Sequence, residues 1–246
     1  MLFTIVFESG DPEARNYQII LSKCLQWSAL WATLFMMKLD LALDFVGGLS
    51  APSKMPCRSY SIPAKHCKTG AKLVPVKNSV CSKCYALKGF YNMPNVKNAL
   101  QKRFDSIDKP EWVEAMTIVI RAKETSGFFR WHDSGDIQSV FHLLKICQIA
   151  KNLPDITFWL PTREYSIVSL YVKLYGPIPS NLTIRLSSLM INGNAPSGIA
   201  KTLGLTTSGV SKDNSFTCPA SNQDNKCLSC RACWNKSVKN VSYKLH

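Results

Sequence analysis

The sequence predicts an α/β protein organised as a partial or complete parallel β/α barrel, and three observations carry that prediction. Strand-like runs alternate with helix-like runs through the middle of the chain, the pattern of β-α-β units. Each of these strands ends in polar residues, as at the mouth of such a sheet. Low complexity and internal repeats are absent, and the 246 residues, 46% hydrophobic, suffice for one large core.

Taken in order, residues 1–36 read as an appended helix, separate from a single barrel-like domain over 37–246. Gln18–Met36 recurs in apolar residues at three and four, interrupted by Lys23 and Gln26. The clean apolar run is shorter than a membrane span needs. It has neither a basic leader nor an obvious cleavage site, which argues against a signal peptide. A start of natural translation at Met36 or Met37 is the second reading of this stretch.

Leu39–Val46 alternates as a strand does and ends at Gly47-Gly48. Tyr60–Ile62 is a short extended piece, and Lys72–Val76 reads as another. A helical region opens at Cys81 and runs unevenly past Tyr91 to Ile107. Asp108, with Pro110 behind it, reads as the entry to a helix carrying Trp112, Val113, Met116 and Ile120 on its buried stripe.

Then the rhythm begins. Phe128–Trp131 is a strand, Val140–Asn152 a helix, Asp155–Leu160 a strand, Tyr165–Tyr175 a helix and Leu182–Leu186 a strand. The right-handed crossover rule turns this into a barrel, open or closed, or a doubly wound sheet. The stretch from Asn192 to Asn214 is loop with one short helix near Ile199.

Cysteines mark both ends of this scaffold. Cys218, Cys227, Cys230 and Cys233 fall within sixteen residues, the last three as C-x2-C-x2-C, and Cys67 precedes a Cys81-Ser-Lys-Cys84 pair. Two consecutive two-residue gaps turn thiolates inward as iron–sulfur proteins do. Zinc, the alternative, usually pairs two separated knuckles. The seven thiols allow one shared [4Fe-4S] cluster, two clusters, or zinc. Cys57 is ambiguous, while Cys24 and Cys147 lie on helical stripes and read as packing residues. A disulfide framework fits poorly in a long chain without a signal peptide.

The formal charge is +14, from 30 Lys+Arg against 16 Asp+Glu. Between Phe45 and Phe104 no Asp or Glu occurs, and none follows Asp224, so both cysteine sets lie in basic zones. Such zones offset the charge of a thiolate-ligated cluster, bind the phosphates of DNA or RNA, or serve solubility.

His132, Asp133 and Asp136 follow one strand, and Thr162, Arg163 and Glu164 the next, with Arg185, Ser187 and Ser188 at the third. Shared placement at strand ends makes His132, Asp133, Asp136, Arg163 and Glu164 the candidate catalytic residues, for acid–base work or for holding Mg2+. The competing reading of His132–Asp136 is a turn that caps the following helix. His66 and His142 are minor candidates.

These residues resemble a family. Tyr60-Ser-Ile-Pro63-Ala64 before Cys67, Val80-Cys81-Ser-Lys-Cys84-Tyr85-Ala86, Arg130-Trp-His132-Asp133-Ser134-Gly135-Asp136, Thr162-Arg163 and Cys218-Pro-Ala with the C-terminal cysteines and Trp234 are similar to the uncharacterised phage "gene product 88" proteins, over Leu49–Trp234. The resemblance implies a phage-encoded cysteine-rich protein in the cytoplasm of the infected bacterial host. More distantly the pattern resembles radical S-adenosylmethionine enzymes, which carry a four-iron cluster at a barrel mouth. That superfamily's C-x3-C-x2-C is absent and C-x13-C-x2-C stands instead. Three-cysteine ligation with one free iron survives this departure, whereas S-adenosylmethionine binding does not carry over with it.

Three functional expectations follow. The first is an iron–sulfur enzyme working by redox or radical chemistry, or a metal-dependent hydrolase or nuclease using the strand-end carboxylates. The second is a nucleic-acid-binding protein with a structural cluster, and the third a zinc-stapled interaction module.

Overall fold

Strands β1 (Arg58–Tyr60), β2 (Phe128–Trp131), β3 (Thr157–Thr162), β4 (Leu182–Ser187), β5 (Thr206–Gly209), β6 (Phe216–Thr217) and β7 (Asn240–Ser242) form one sheet. Its order is β1-β2-β3-β4-β5-β7-β6, with every described pairing parallel. The computed structural model describes residues 37–210 and 216–244. The chain divides into two compact units, Met1–Lys38 and Leu39–His246. The helix expected within Gln18–Met36 lies outside the described residues.

The α/β class and the parallel sheet agree with the sequence. Among the described residues the sheet does not close, because β1 and β6 are its two edges and do not pair with each other. The complete barrel is therefore not formed.

The helices are α1 (Leu39–Val46), α2 (Lys68–Leu73), α3 (Pro94–Ser106), α4 (Trp112–Lys123), α5 (Val140–Asn152), α6 (Tyr165–Tyr175) and α7 (Ser197–Thr202). The alternating middle region forms the elements expected from its periodicity. Two expectations fail nearer the N-terminus. Leu39–Val46 is a helix and not a strand: Ala42 and Val46, four apart, are its buried face, and the Gly48 N–H closes on the Leu43 carbonyl at 2.9 Å. Lys72–Val76 is not a strand either, since Lys68–Leu73 is helical and the rest is turn. The region after Cys81 is broken into 3-10 turns over Val80–Lys83, Tyr85–Leu87 and Gly89–Asn92 before α3 begins at Pro94. The entry to α4 is also displaced, with Glu111 and not Asp108 at the N-cap position.

Register assigns the strand residues to two faces. Tyr60 pairs with Trp131, Phe129 with Phe158, and Phe158 with Leu182. All of these are fully buried beneath the helices, where Trp112 of α4 meets both Tyr60 and Trp131 at ring-centroid distances of 5.9 Å. Burying side chains of this size contributes about 1.5–3 kcal/mol each, which makes this the main core. The alternate positions Ser59, Arg130, Trp159 and Thr183 form a row across the opposite face. Among the described residues no α-helix covers that row. The cysteine-rich C-terminal segment does, with Trp234 packed on Trp159 at 5.2 Å and on Phe128 at 5.6 Å.

Candidate functional site

The structure sorts the cysteines into two groups. Cys57 and Cys233 are buried in one cluster with Met55, Trp159, Trp234 and Val241, and Cys218, Cys227 and Cys230 pack against it. Cys67, Cys81 and Cys84 form the other group, at the end of the sheet where β2, β3 and β4 finish.

The C-terminal group is held by Arg185 on β4. This side chain is 0% exposed, yet all its donors are used. Its Nε donates to the carbonyl of Cys233, its Nη1 to those of Thr207 and Val238, and its Nη2 to those of Ala232 and Asn235, at 2.7–3.0 Å. Thr183 donates to the Trp234 carbonyl at 2.7 Å, and Trp234 Nε1 donates to the Phe129 carbonyl at 2.9 Å. The Cys227 N–H reaches the Lys54 carbonyl, which places this segment beside Cys57. Cys233 Sγ lies 3.2 Å from Tyr243 Oη. The sequence left Cys57 ambiguous and gave no role to Tyr243. Arg185 it grouped with the strand-end polar residues, although its side chain serves the sheet face.

The second group is built around Gly70 of α2. A methyl group placed on Gly70 would lie 2.9 Å from Cys67 Cβ, 3.6 Å from Cys81 Sγ and 3.7 Å from Cys67 Sγ, so the missing side chain lets α2 pack closely against both cysteines. Cys67 stands at the N-cap of α2, and Cys84 follows Cys81 through a single 3-10 turn, its N–H bonded to the Cys81 carbonyl. The turn is fixed to the strand ends: Val80 N–H donates to the Leu189 carbonyl and Ile191 N–H to the Asn78 carbonyl, both just beyond β4.

Asp136, Arg163 and Glu164 belong to this group. Asp136 Oδ1 accepts from Thr162 Oγ1 at 2.6 Å and from the Ile137 N–H at 2.8 Å, and its Oδ2 accepts from the Arg163 N–H at 2.9 Å. Burial nevertheless raises its carboxyl to about 6, with the Glu164 charge acting in the same direction and those three hydrogen bonds opposing both. Glu164 accepts from the Thr69 N–H at 2.7 Å and from Thr69 Oγ1 at 2.8 Å, which ties α2 to the end of β3. Arg163 Nε donates to the Ser188 carbonyl at 3.1 Å, and its positive charge acts on Cys81.

Asp133 and His132 are placed elsewhere. Asp133 accepts from Ser59 Oγ and Tyr91 Oη, both at 3.3 Å, and its carbonyl accepts from Tyr85 Oη. It lies near Arg130, whose guanidinium sits 4.5 Å over the Trp159 ring. His132 has φ +54 and turns toward α5, packing on His142 at 5.4 Å. Neither of its ring nitrogens has a hydrogen-bond partner among the described residues. Burial first, and then the Arg130 charge, lower its pKa to about 3, so the ring is neutral. The five strand-end candidates are thus not one constellation: three stand with Cys67 and Cys81, Asp133 stands with Tyr85 and Tyr91, and His132 belongs to the helix-covered core.

Burial pushes the thiols up, Cys57 to about 12 and Cys233 to about 11, with Cys67, Cys81 and Cys227 raised for the same reason. Without a bound cation these are neutral thiols; ligation to a metal deprotonates them. Neighbouring thiols add to the rise within each group: Cys84 and Cys81 act on Cys67, Cys218 and Cys230 on Cys227, and Cys227 on Cys57.

The family model described as gene product 88 matches residues 38–236. The chain belongs to the gene product 88 family. The match takes in both thiol groups, all five strand-end candidates and Arg185. No curated protein and no solved structure matches this member of the family. Among the described residues no helix is long and apolar enough to cross a membrane.

Proposed function

We propose that this chain is a phage-encoded iron–sulfur protein of the host cytoplasm, with one four-iron cluster in each thiol group and an active site at the Cys67–Cys81–Cys84 end of an open, barrel-like sheet. The observation that carries the reading is Arg185. A guanidinium buried with five carbonyl partners and no carboxylate is a costly charge. It touches the backbone of the very segment that carries four cysteines, where thiolates bound to iron would supply the missing negative charge. Cys218, Cys227, Cys230 and Cys233 are the four ligands of that cluster, with Cys57 packed beside them.

The mouth group offers three thiols, two of which, Cys67 and Cys81, close on the same glycine, Gly70. Among the described residues no three His, Cys, Asp or Glu side chains converge to hold a single ion. A tetrahedral zinc site would bring its thiolates to about 4 Å from one another. A cluster accepts them at wider spacing, because each thiolate binds a different iron. When bound, a three-cysteine cluster supplies one-electron chemistry and an iron open to substrate.

The surrounding residues have defined tasks in this reading. Arg163 presents a cation to an anionic substrate group. Asp136, with its carboxyl raised to about 6, holds a proton that it can exchange near neutral pH. Glu164 positions Cys67 through Thr69. Every carboxylate oxygen of Asp136 and Glu164 already accepts a hydrogen bond from the fold. That favours proton transfer and positioning over hydrolysis at a carboxylate-bound metal.

Anaerobic purification with iron, acid-labile sulfide and zinc counted per chain tests the proposal. The expected result is a brown protein with roughly four iron and four sulfide per cluster, hence about eight of each. Stoichiometric zinc without iron would overturn it.

A further inference from the structure

We propose that the surface formed by residues 72–97 binds a single strand of nucleic acid. The large apolar side chains of this stretch are turned outward: Val74, Val76, Tyr85, Leu87, Phe90 and Met93 are 38–76% exposed, and Phe90 is the most exposed large apolar side chain described. Lys72, Lys77, Lys83, Lys88 and Lys97 are exposed among them. No Asp or Glu interrupts the chain from Phe45 to Phe104.

Local structure explains the display. A regular helix would bury one side of this sequence, but the 3-10 turns Val80–Lys83, Tyr85–Leu87 and Gly89–Asn92 are each three or four residues long. Among these turns Lys83, Tyr85, Lys88 and Phe90 alternate cation and ring within eight residues, and all four are exposed. Cations for phosphates with ring faces for bases are the two elements of a single-strand groove.

Offsetting the charge of a cluster does not explain the lysines. The cation that acts on Cys81 is Arg163, which comes from the end of β3, and the exposed lysines face water. Nor does core packing explain Phe90, at 76% exposure. An acidic protein would answer the charge, but the alternation of cation and ring at Lys83, Tyr85, Lys88 and Phe90 matches the repeat of phosphate and base along a strand, which favours a polynucleotide. The inference does not depend on the iron–sulfur reading, because none of these lysines or of the two rings is a proposed ligand.

The test uses the full-length protein, purified anaerobically, and fluorescence anisotropy with labelled oligo-dT, oligo-U and a mixed-sequence DNA duplex, each about twenty nucleotides or base pairs long. A single strand should bind at low salt, more tightly than duplex. Affinity should fall with salt at a log–log slope of about 0.7 per phosphate neutralised. The Lys83→Glu/Lys88→Glu double variant should bind at least about ten-fold more weakly, and Phe90→Ala about five- to ten-fold more weakly. Both should keep the parent's circular dichroism and visible absorption, since all three side chains are on the surface. Whether oligo-dT or oligo-U binds better identifies the strand. Absence of single-strand binding at low salt, equal binding of duplex, or parental affinity in both variants would overturn the proposal, as would capture of poly-glutamate in preference to either oligonucleotide. A colourless protein that still binds the strand would sink the cluster reading alone.

Discussion

Arg185 Nε donates to the carbonyl of Cys233 at 2.9 Å, from a side chain that is wholly buried on the sheet face. This bond and the four beside it anchor the Ala232–Val238 segment to β4 and β5. Together they place Cys233 and Trp234 over the Arg130–Trp159–Thr183 row. A charged donor fork of this kind is specific in geometry, because only a guanidinium presents five N–H groups in one plane.

Replacing Arg185 by Met should therefore unfasten the C-terminal thiol group while leaving an apolar side chain of similar length. Five carbonyls lose their donor at about 1–3 kcal/mol for each that stays buried and unpaired, partly offset by removal of the buried charge itself, so the net cost should be about 3–5 kcal/mol. Arg185→Lys, which keeps the charge but not the fork, should recover only part of it. Denaturant unfolding followed by circular dichroism measures the loss. Unchanged stability in Arg185→Met would show that the segment is held by packing alone.

His132 predicts acid sensitivity. Its folded pKa is depressed to about 3, against 6.5 for a free imidazole. The neutral ring is the form the fold accepts, so between these values the unfolded chain binds the extra proton. The stability that His132 contributes is full above about pH 6.5 and is lost as the pH falls toward 3, with a slope of at most about 1.4 kcal/mol per pH unit. His142, lowered by burial in the same direction, adds to it. His132→Asn removes one titrating group and keeps a residue that tolerates positive φ. Denaturant unfolding between about pH 4 and 7 should show a shallower dependence in this variant. An identical slope would assign the acid sensitivity to other groups.

The same residue shows where the sequence was legible and where it was not. From Phe128 to Ser188 the strands and helices follow from apolar periodicity, because each element buries one side against its neighbours. The grouping of Asp136, Arg163 and Glu164 follows from their shared place at strand ends. His132 sits in the same loop, but φ +54 reverses its side chain onto α5, a local twist that no periodicity encodes. Leu39–Val46 was misread because eight residues give alternation and helical spacing too few repeats to separate them. The short strand β5 is Thr, Thr, Ser and Gly, and β7 has Val241 alone between Asn240 and Ser242, so neither gives an apolar repeat. Arg185 could have been found from its position: a lone cation inside the run Leu182–Leu186 needs partners, and the facing carbonyls supply them.

Gly135 should be intolerant of any side chain. It has φ +82, and a methyl group there would lie 2.8 Å from the Ile62 carbonyl oxygen. That carbonyl accepts from Ser134 Oγ, and Ile62 N–H donates to the Ser134 carbonyl, so the clash falls on the junction between the ends of β1 and β2. Gly135→Ala should cost several kcal/mol, combining backbone strain with displacement of a packed main chain. A melting temperature within a few degrees of the parent, read by differential scanning fluorimetry, would refute this.

Cysteine replacements separate ligands from packing residues. Cys84→Ala should remove iron from the mouth group. Cys147→Ala should leave metal content unchanged, because Cys147 is buried on α5, a helix that carries neither thiol group. Its cost is the packing of one sulfur, about 1 kcal/mol. Iron and sulfide counts on both variants decide the assignment, and the reverse pattern would overturn it.

Gly70→Ala gives the sharpest test of the mouth group, because two effects oppose each other. Alanine favours a helix by about 1 kcal/mol over glycine, and the open backbone of α2 should benefit. The added methyl would stand 2.9 Å from Cys67 Cβ and against Cys81 Sγ and Cys67 Sγ at 3.6 and 3.7 Å, so it would push the two thiols out of place. Thr69, held by Glu164 at both its N–H and its hydroxyl, prevents α2 from sliding away to relieve the contact. Stability of the metal-free protein should therefore change little, while the mouth group loses its iron and the C-terminal group keeps its own. Iron per chain should fall by about half, from roughly eight to four, with the remaining iron still matched by sulfide. Full iron content in Gly70→Ala would show that a cluster there does not depend on the close packing of Cys67 and Cys81 on Gly70.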